Sequence, residues 1–220
     1  MPTQPTFWPN RGGPYGLEID LGAPSDDRAA LVLRAIWEHP SLSGPYQYTD
    51  RGPANQPVWT SAWYRVQQLY YGVLQLTNQA RVPCQVIVSR FKRGSVGQGP
   101  KTSDPFDSPT GSARSLLARE DEPLDVLSLW LSMEALELVY PVGGYPFGDL
   151  DAAAAWRPEL DAVLINIARH LHGRCTFRRG AIGFDLCLAS KSQPINTRGD
   201  GRLIEEQGAL RWHPPENYAL

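Results

Sequence analysis

No stretch of the chain approaches the roughly 18 consecutive apolar residues that a membrane-spanning helix needs. The opening residues, from Met1 through Pro2, Pro5, Phe7 and Trp8, lack the charged start and apolar run of a secretory leader. A cytoplasmic location without membrane contact is the expectation. Cysteine is scarce: Cys84, Cys175 and Cys187 are the three. An odd number at unrelated spacings argues against a disulfide framework and suits reduced thiols. Charge of one sign is also missing. Lys and Arg number 21 against 23 Asp and Glu, a net charge of −2. That balance lacks the basic excess of a nucleic-acid binder and the polybasic cluster of a membrane contact. No internal repeat is present.

What the chain does have is ordinary globular composition, 42% hydrophobic and 20% charged over 220 residues, enough to bury a core. Gly and Pro number 20 each, which predicts many irregular connections. From Tyr15, apolar Tyr15, Leu17, Ile19 and Leu21 alternate with Glu18 and Asp20, the period of a half-buried strand. Ser25 then stands as an N-cap, with Asp26 and Asp27 in the favourable first turn. Ala29, Val32, Leu33, Ile36 and Trp37 follow at helical spacing, and Pro40 ends the run. Residues 40–58 read as irregular. A hairpin is predicted from Tyr70–Thr77 and Val82–Phe91, joined through Asn78 and Gln79. Val126–Leu131 is a strand with Leu127, Leu129 and Leu131 on one face and Trp130 on the other. Met133–Val139 adds a helical turn or two.

The clearest helix carries Leu160, Val163, Leu164, Ile167, Ala168 and Leu171 on one stripe, with Pro158 read as its first residue and Gly173 as its end. Phe177–Leu188 reads as a strand, and a short hairpin is expected near Leu203 and Leu210. Strands grouped between two helices predict an α+β fold, a mainly antiparallel sheet with two principal helices packed on one face. The whole is expected as a single domain over 1–220, with a long mobile loop at about 94–123.

Chemistry is sparse. The segment from Gly94 to Thr102 nearly matches a phosphate-binding loop, but Pro100 intrudes before Lys101 and removes a backbone donor such a loop depends on. His170 and His172 lie two apart, pointing different ways on a helix, and Gly173 separates His172 from Cys175, so no metal set is assembled and none is expected. There is no Gly-x-Ser-x-Gly elbow. Cys84 and Cys187 fall in strands as small apolar groups, and Cys175 is expected to be the exposed thiol. The carboxylates at 120–125 and at Asp149 and Asp151 read as solvated surface, Asp149 or Asp151 capping a turn through Ala152–Ala155. The basic runs Arg90, Lys92, Arg93 and Arg174, Arg178, Arg179 read as a strand end and a turn, so nucleic acid is not an expected partner. No cofactor is expected.

Aromatics are the abundant resource, with seven Trp and nine Tyr. A sheet with helices on one face and aromatics on the other makes a natural partner-binding surface. The candidate contact residues are Trp63, Tyr64, Tyr71 and Trp130, joined by Tyr145, Phe147, Asp149 and Asp151 around a glycine-rich loop. The expectation is a non-enzymatic protein-binding module, an intracellular inhibitor of a toxin or effector (an immunity-type protein). The alternatives are an enzyme built from separated groups such as Cys175, His170, His172, Asp149 and Asp151, and a structural subunit of an assembly.

Overall fold

The computed structural model describes residues 14–48, 51–60, 63–91, 123–140, 150–184, 186 and 199–216. In chain order the elements are β1 (Pro14–Gly22), α1 (Asp26–Trp37), β2 (Leu42–Tyr46), β3 (Tyr70–Gln75), β4 (Arg81–Phe91), β5 (Leu124–Ser132), α2 (Met133–Glu137), α3 (Leu150–His172), β6 (Arg179–Phe184), β7 (Gly201–Glu206) and β8 (Ala209–His213). A 3-10 turn spans Pro53–Asn55. The strands form one eight-stranded sheet in the order β2-β3-β4-β5-β1-β6-β7-β8. Every pairing is antiparallel.

The α+β reading holds, with the helices on one face of the sheet. The period-two residues Tyr15, Leu17 and Ile19 of β1 pair with Leu131, Leu129 and Leu127 of β5, so their side chains share that face. Val82, Cys84, Val86 and Val88 of β4 and Ile182 of β6 extend it. Onto it pack Ala29, Val32, Leu33 and Ile36 of α1, Met133, Ala135 and Leu136 of α2, and the predicted α3 stripe from Leu160 to Leu171, joined by Trp156.

Local signals explain the boundaries. The Ser25 hydroxyl accepts the Arg28 N–H at 3.2 Å and starts α1 as expected. The β7–β8 hairpin turns through Gln207 and Gly208, both at positive φ (53° and 81°), the two-residue turn whose twist matches the flanking strands. In the β3–β4 turn, Asn78 Oδ1 accepts the Ala80 N–H at 2.9 Å.

Four readings need correction. Pro158 lies inside α3, which begins at Leu150. The alanine run 152–155 has high enough helix propensity to carry the helix across a residue that removes one intrahelical N–H. Residues 40–58 are not wholly irregular: β2 lies within them, and its Gly44 and Pro45 hid it. A proline is tolerated there because β2 is an edge strand among the described residues. The strand sought at Phe177–Leu188 is shorter, Arg179–Phe184. Cys175 is buried in the main core, and burial pushes its thiol upward. The long segment 94–122 lies outside the described residues, as does Cys187.

Candidate functional site

The face of the sheet turned away from the helices is ordered by register into three rows. The first runs Tyr46, Tyr71, Gln85, Trp130, Gly16 and Gly183, each residue paired with the next across neighbouring strands. Tyr46 is buried, its hydroxyl 3.0 Å from Ser43 Oγ. Tyr71, Gln85 and Trp130 are half-buried. Trp130 stands opposite the leucines of its strand, as its alternation predicted, and register sets it one strand from Gln85 and two from Tyr71.

The second row runs Ile87, Ser128, Glu18, Ala181, Arg202 and His213. Glu18 is only 5% exposed, and the Ser128 hydroxyl donates to its carboxylate at 3.3 Å. The third runs Ser89, Val126, Asp20, Arg179, Ile204 and Arg211. Here the Arg179 guanidinium donates to Asp20 at 2.9 Å, an ion pair between directly opposite residues. The aromatic residues of these rows thus lie on β2, β3 and β5 and the charged ones on β1 and β6–β8, with Val126 and Ala181 buried in a small apolar cluster between.

The eight candidate contact residues divide. Tyr71 and Trp130 share the first row. Tyr64 does not join them: it packs against the helix-side core beside Tyr70, ring centroids 5.5 Å apart. Burial and then the neighbouring Tyr70 raise its phenol pKa. Trp63 is 79% exposed, and its carbonyl accepts the Tyr70 hydroxyl at 3.3 Å, again on the helix side. Asp151 falls within α3 by its backbone. Its side chain, with Tyr145, Phe147 and Asp149, lies outside the described residues, as does the Gly94–Thr102 segment.

Of the groups collected for an enzymatic reading, His170 and His172 have separate surroundings. His170 Nε2 lies 3.0 Å from the Ala35 carbonyl, and its Nδ1 lies 3.0 Å from Arg174 Nη1. The His172 ring meets Phe177 edge-on at 5.1 Å. Among the described residues no three His, Cys, Asp or Glu groups converge as metal ligands. The basic runs are likewise dispersed: Arg90 binds Asp125 and Asp26, Arg174 binds Glu38 and Arg179 binds Asp20.

One polar cluster escaped sequence reasoning. Under α3, the Tyr15 hydroxyl donates to Asp161, and Arg157 Nε donates to the Tyr15 hydroxyl oxygen at 3.3 Å. Arg157 Nη2 donates to the Gly199 carbonyl at 2.7 Å, and its guanidinium lies 5.5 Å from the Tyr15 and Phe184 ring centres. Burial first, then Asp161, raises the Tyr15 phenol well above its usual value, which keeps it protonated and donating. The cluster fastens α3 to β1 and to the backbone before β7. The i, i+4 spacing of Arg157 and Asp161 was its only local signal. Comparison with protein-family models, curated proteins and solved structures finds no match to this chain.

Proposed function

We propose that this chain is a non-enzymatic protein-binding module of the cytoplasm, an inhibitor of an intracellular toxin or effector that works by covering its partner. The observation that supports this best is the first row of the helix-free face. Tyr71 and Trp130, 59 residues apart in sequence, come onto one sheet face through Gln85. Large, stiff side chains with a polar edge give contact area with little conformational entropy to lose, which is why Tyr and Trp recur at the centres of interfaces. The scaffold beneath them is a sheet backed by three helices, so the row is presented pre-ordered rather than assembled on contact. Inhibition by occlusion asks for complementarity and rigidity and for no reacting group.

The test is a tagged pull-down from the native cell at low and high salt, read by mass spectrometry, for the wild type and for Tyr71→Ala/Trp130→Ala. One stoichiometric partner is expected with the wild type. The double variant is expected to keep its far-ultraviolet dichroism and to lose that partner by at least about tenfold, the scale of a hot-spot truncation. Absence of any stoichiometric partner at either salt concentration overturns the reading.

A further inference from the structure

We propose that the β6–β8 end of the helix-free face docks an extended acidic segment of the protein partner, with two carboxylates at alternate residues meeting Arg202 and Arg211. This rests on the protein-binding reading above and adds the chemistry of the partner. Three arginines gather here. Arg179 and Arg211 flank Ile204 in the third row, and Arg202, beside Ala181 and opposite His213, stands diagonally from both. Arg179 already has a partner in Asp20, and the His213 ring lies 3.0 Å from Glu206. Among the described residues, the Arg202 and Arg211 side chains have no hydrogen bond and no ion pair. Arg211 is exposed and Arg202 partly so. An uncompensated pair of guanidinium groups on a chain of net charge −2 is a local field of opposite sign to the whole.

Spacing selects the ligand. Diagonal neighbours on an antiparallel pair lie about 7–8 Å apart. Carboxylates two residues apart on an extended chain lie about 6.6–6.8 Å apart and on the same side. An alternating acidic strand therefore offers one oxygen pair to each guanidinium, the planar two-point match that Arg makes with carboxylate. A nucleic-acid backbone fits less well. Asp20 and Glu206 are interspersed with the arginines and repel a continuous row of phosphates, and Trp212, the tryptophan of β8, packs on the helix-side core, away from this face.

The experiment uses the full chain and a labelled decapeptide in which Glu alternates with Ser, followed by fluorescence anisotropy at about 50 and 300 mM salt. The Glu peptide is expected to bind and to weaken at the higher salt, with a Gln-for-Glu peptide not binding. Arg202→Gln/Arg211→Gln is expected to weaken binding at least about tenfold, the loss of one charge-assisted contact or more. Arg34→Gln/Arg169→Gln, on the helix side, is expected to stay within about twofold, since removing distant surface charge acts only through the screened long-range field. A charge-reversed pair, Arg202→Glu/Arg211→Glu, is expected to take up a Lys-Ser peptide instead, which separates the contact from loss of fold. Equal affinity of the double Gln variant for the Glu peptide overturns the inference, and so does tighter binding of an oligonucleotide of equal charge. If the Glu peptide fails while the pull-down retains its partner, this inference falls and the binding-module reading stands. If no partner is captured, that reading falls by its own test.

Discussion

His39 follows α1 with its ring buried, edge-on to His170 at a centroid distance of 5.1 Å. Its Nδ1 accepts the Ser41 N–H at 3.1 Å, so the neutral ring is built into the turn. Burial, then the His170 ring and the Arg174 guanidinium, lower its pKa to about 4. The sign follows from linkage: the unfolded ring takes a proton below about 6.5, and the folded ring declines it until about pH 4. Stability is therefore complete above pH 6.5 and is lost as the pH falls toward 4. The expected loss is about 2 kcal/mol, discounted for the solvent screening that reaches a group near the surface. Thermal midpoints from pH 7 to 4 check this: His39→Asn keeps the acceptor for Ser41 and should fall less steeply than the wild type. Parallel curves would show that other groups carry the acid sensitivity.

Asp125, read from the sequence with its neighbours as solvated surface, is only 1% exposed and is a second sensitive point. It accepts the Ser25 N–H at 3.0 Å and two Arg90 donors at 2.8 and 3.0 Å, joining β5 to the start of α1. Asp125→Ala should cost about 3 kcal/mol in urea unfolding, since it strips a buried carboxylate from its cation and from an N-terminal donor. A cost below about 1 kcal/mol would reduce the cluster to a surface ion pair. Ser25 as a cap was legible in the sequence because its partner is three residues away. Asp125 was not, because the groups it serves lie 35 and 100 residues from it.

Among the elements, α1 and β2–β3 are locked by one side chain. The Trp37 indole lies over Gly44 and Gly72, and a Cβ at Gly72 would sit 2.3 Å from its ring. Gly72→Ala should destabilise by about 2 kcal/mol, the range for overpacking a well-filled site, as read from the shift in thermal midpoint. No shift would mean that the indole swings aside freely. The helix α3 makes the opposite prediction. Pro158 is exposed and leaves the Ala154 carbonyl without its usual intrahelical donor. Pro158→Ala should stabilise by about 1–2 kcal/mol, the helical gain less the looser unfolded chain. Strong periodicity made β1, β4, β5 and the body of α3 readable. Two of the misreadings came from a proline judged locally, at Pro45 and at Pro158, where edge position and neighbouring helix propensity outweighed the residue's own preference.

For the molecule as a whole, period two told which side of its own strand each aromatic takes, and that much placed Trp130 correctly. It could not tell which sides coincide. Tyr71, Gln85 and Trp130 meet only through two pairings, and Tyr64, seven residues before Tyr71, goes to the other face because the chain reaches β3 across the helix side. Charge behaves the same way. The net value of −2 showed no basic excess, whereas register collects Arg179, Arg202 and Arg211 on the described end of the face.

The strand order also governs how the protein is made. β1 is the earliest of these strands to leave the ribosome, yet its two neighbours are β5 and β6. About 100 residues separate it from β5, and at about 5–20 residues per second that is some 5–20 s of synthesis. Through that interval both rims of the strand destined for the middle of the sheet go unmatched, while the β3–β4 hairpin, local in sequence, can already close. Nascent chains of this protein therefore present an adhesive, apolar ribbon before they can fold, and overproduction should draw on chaperones in proportion to the translation rate.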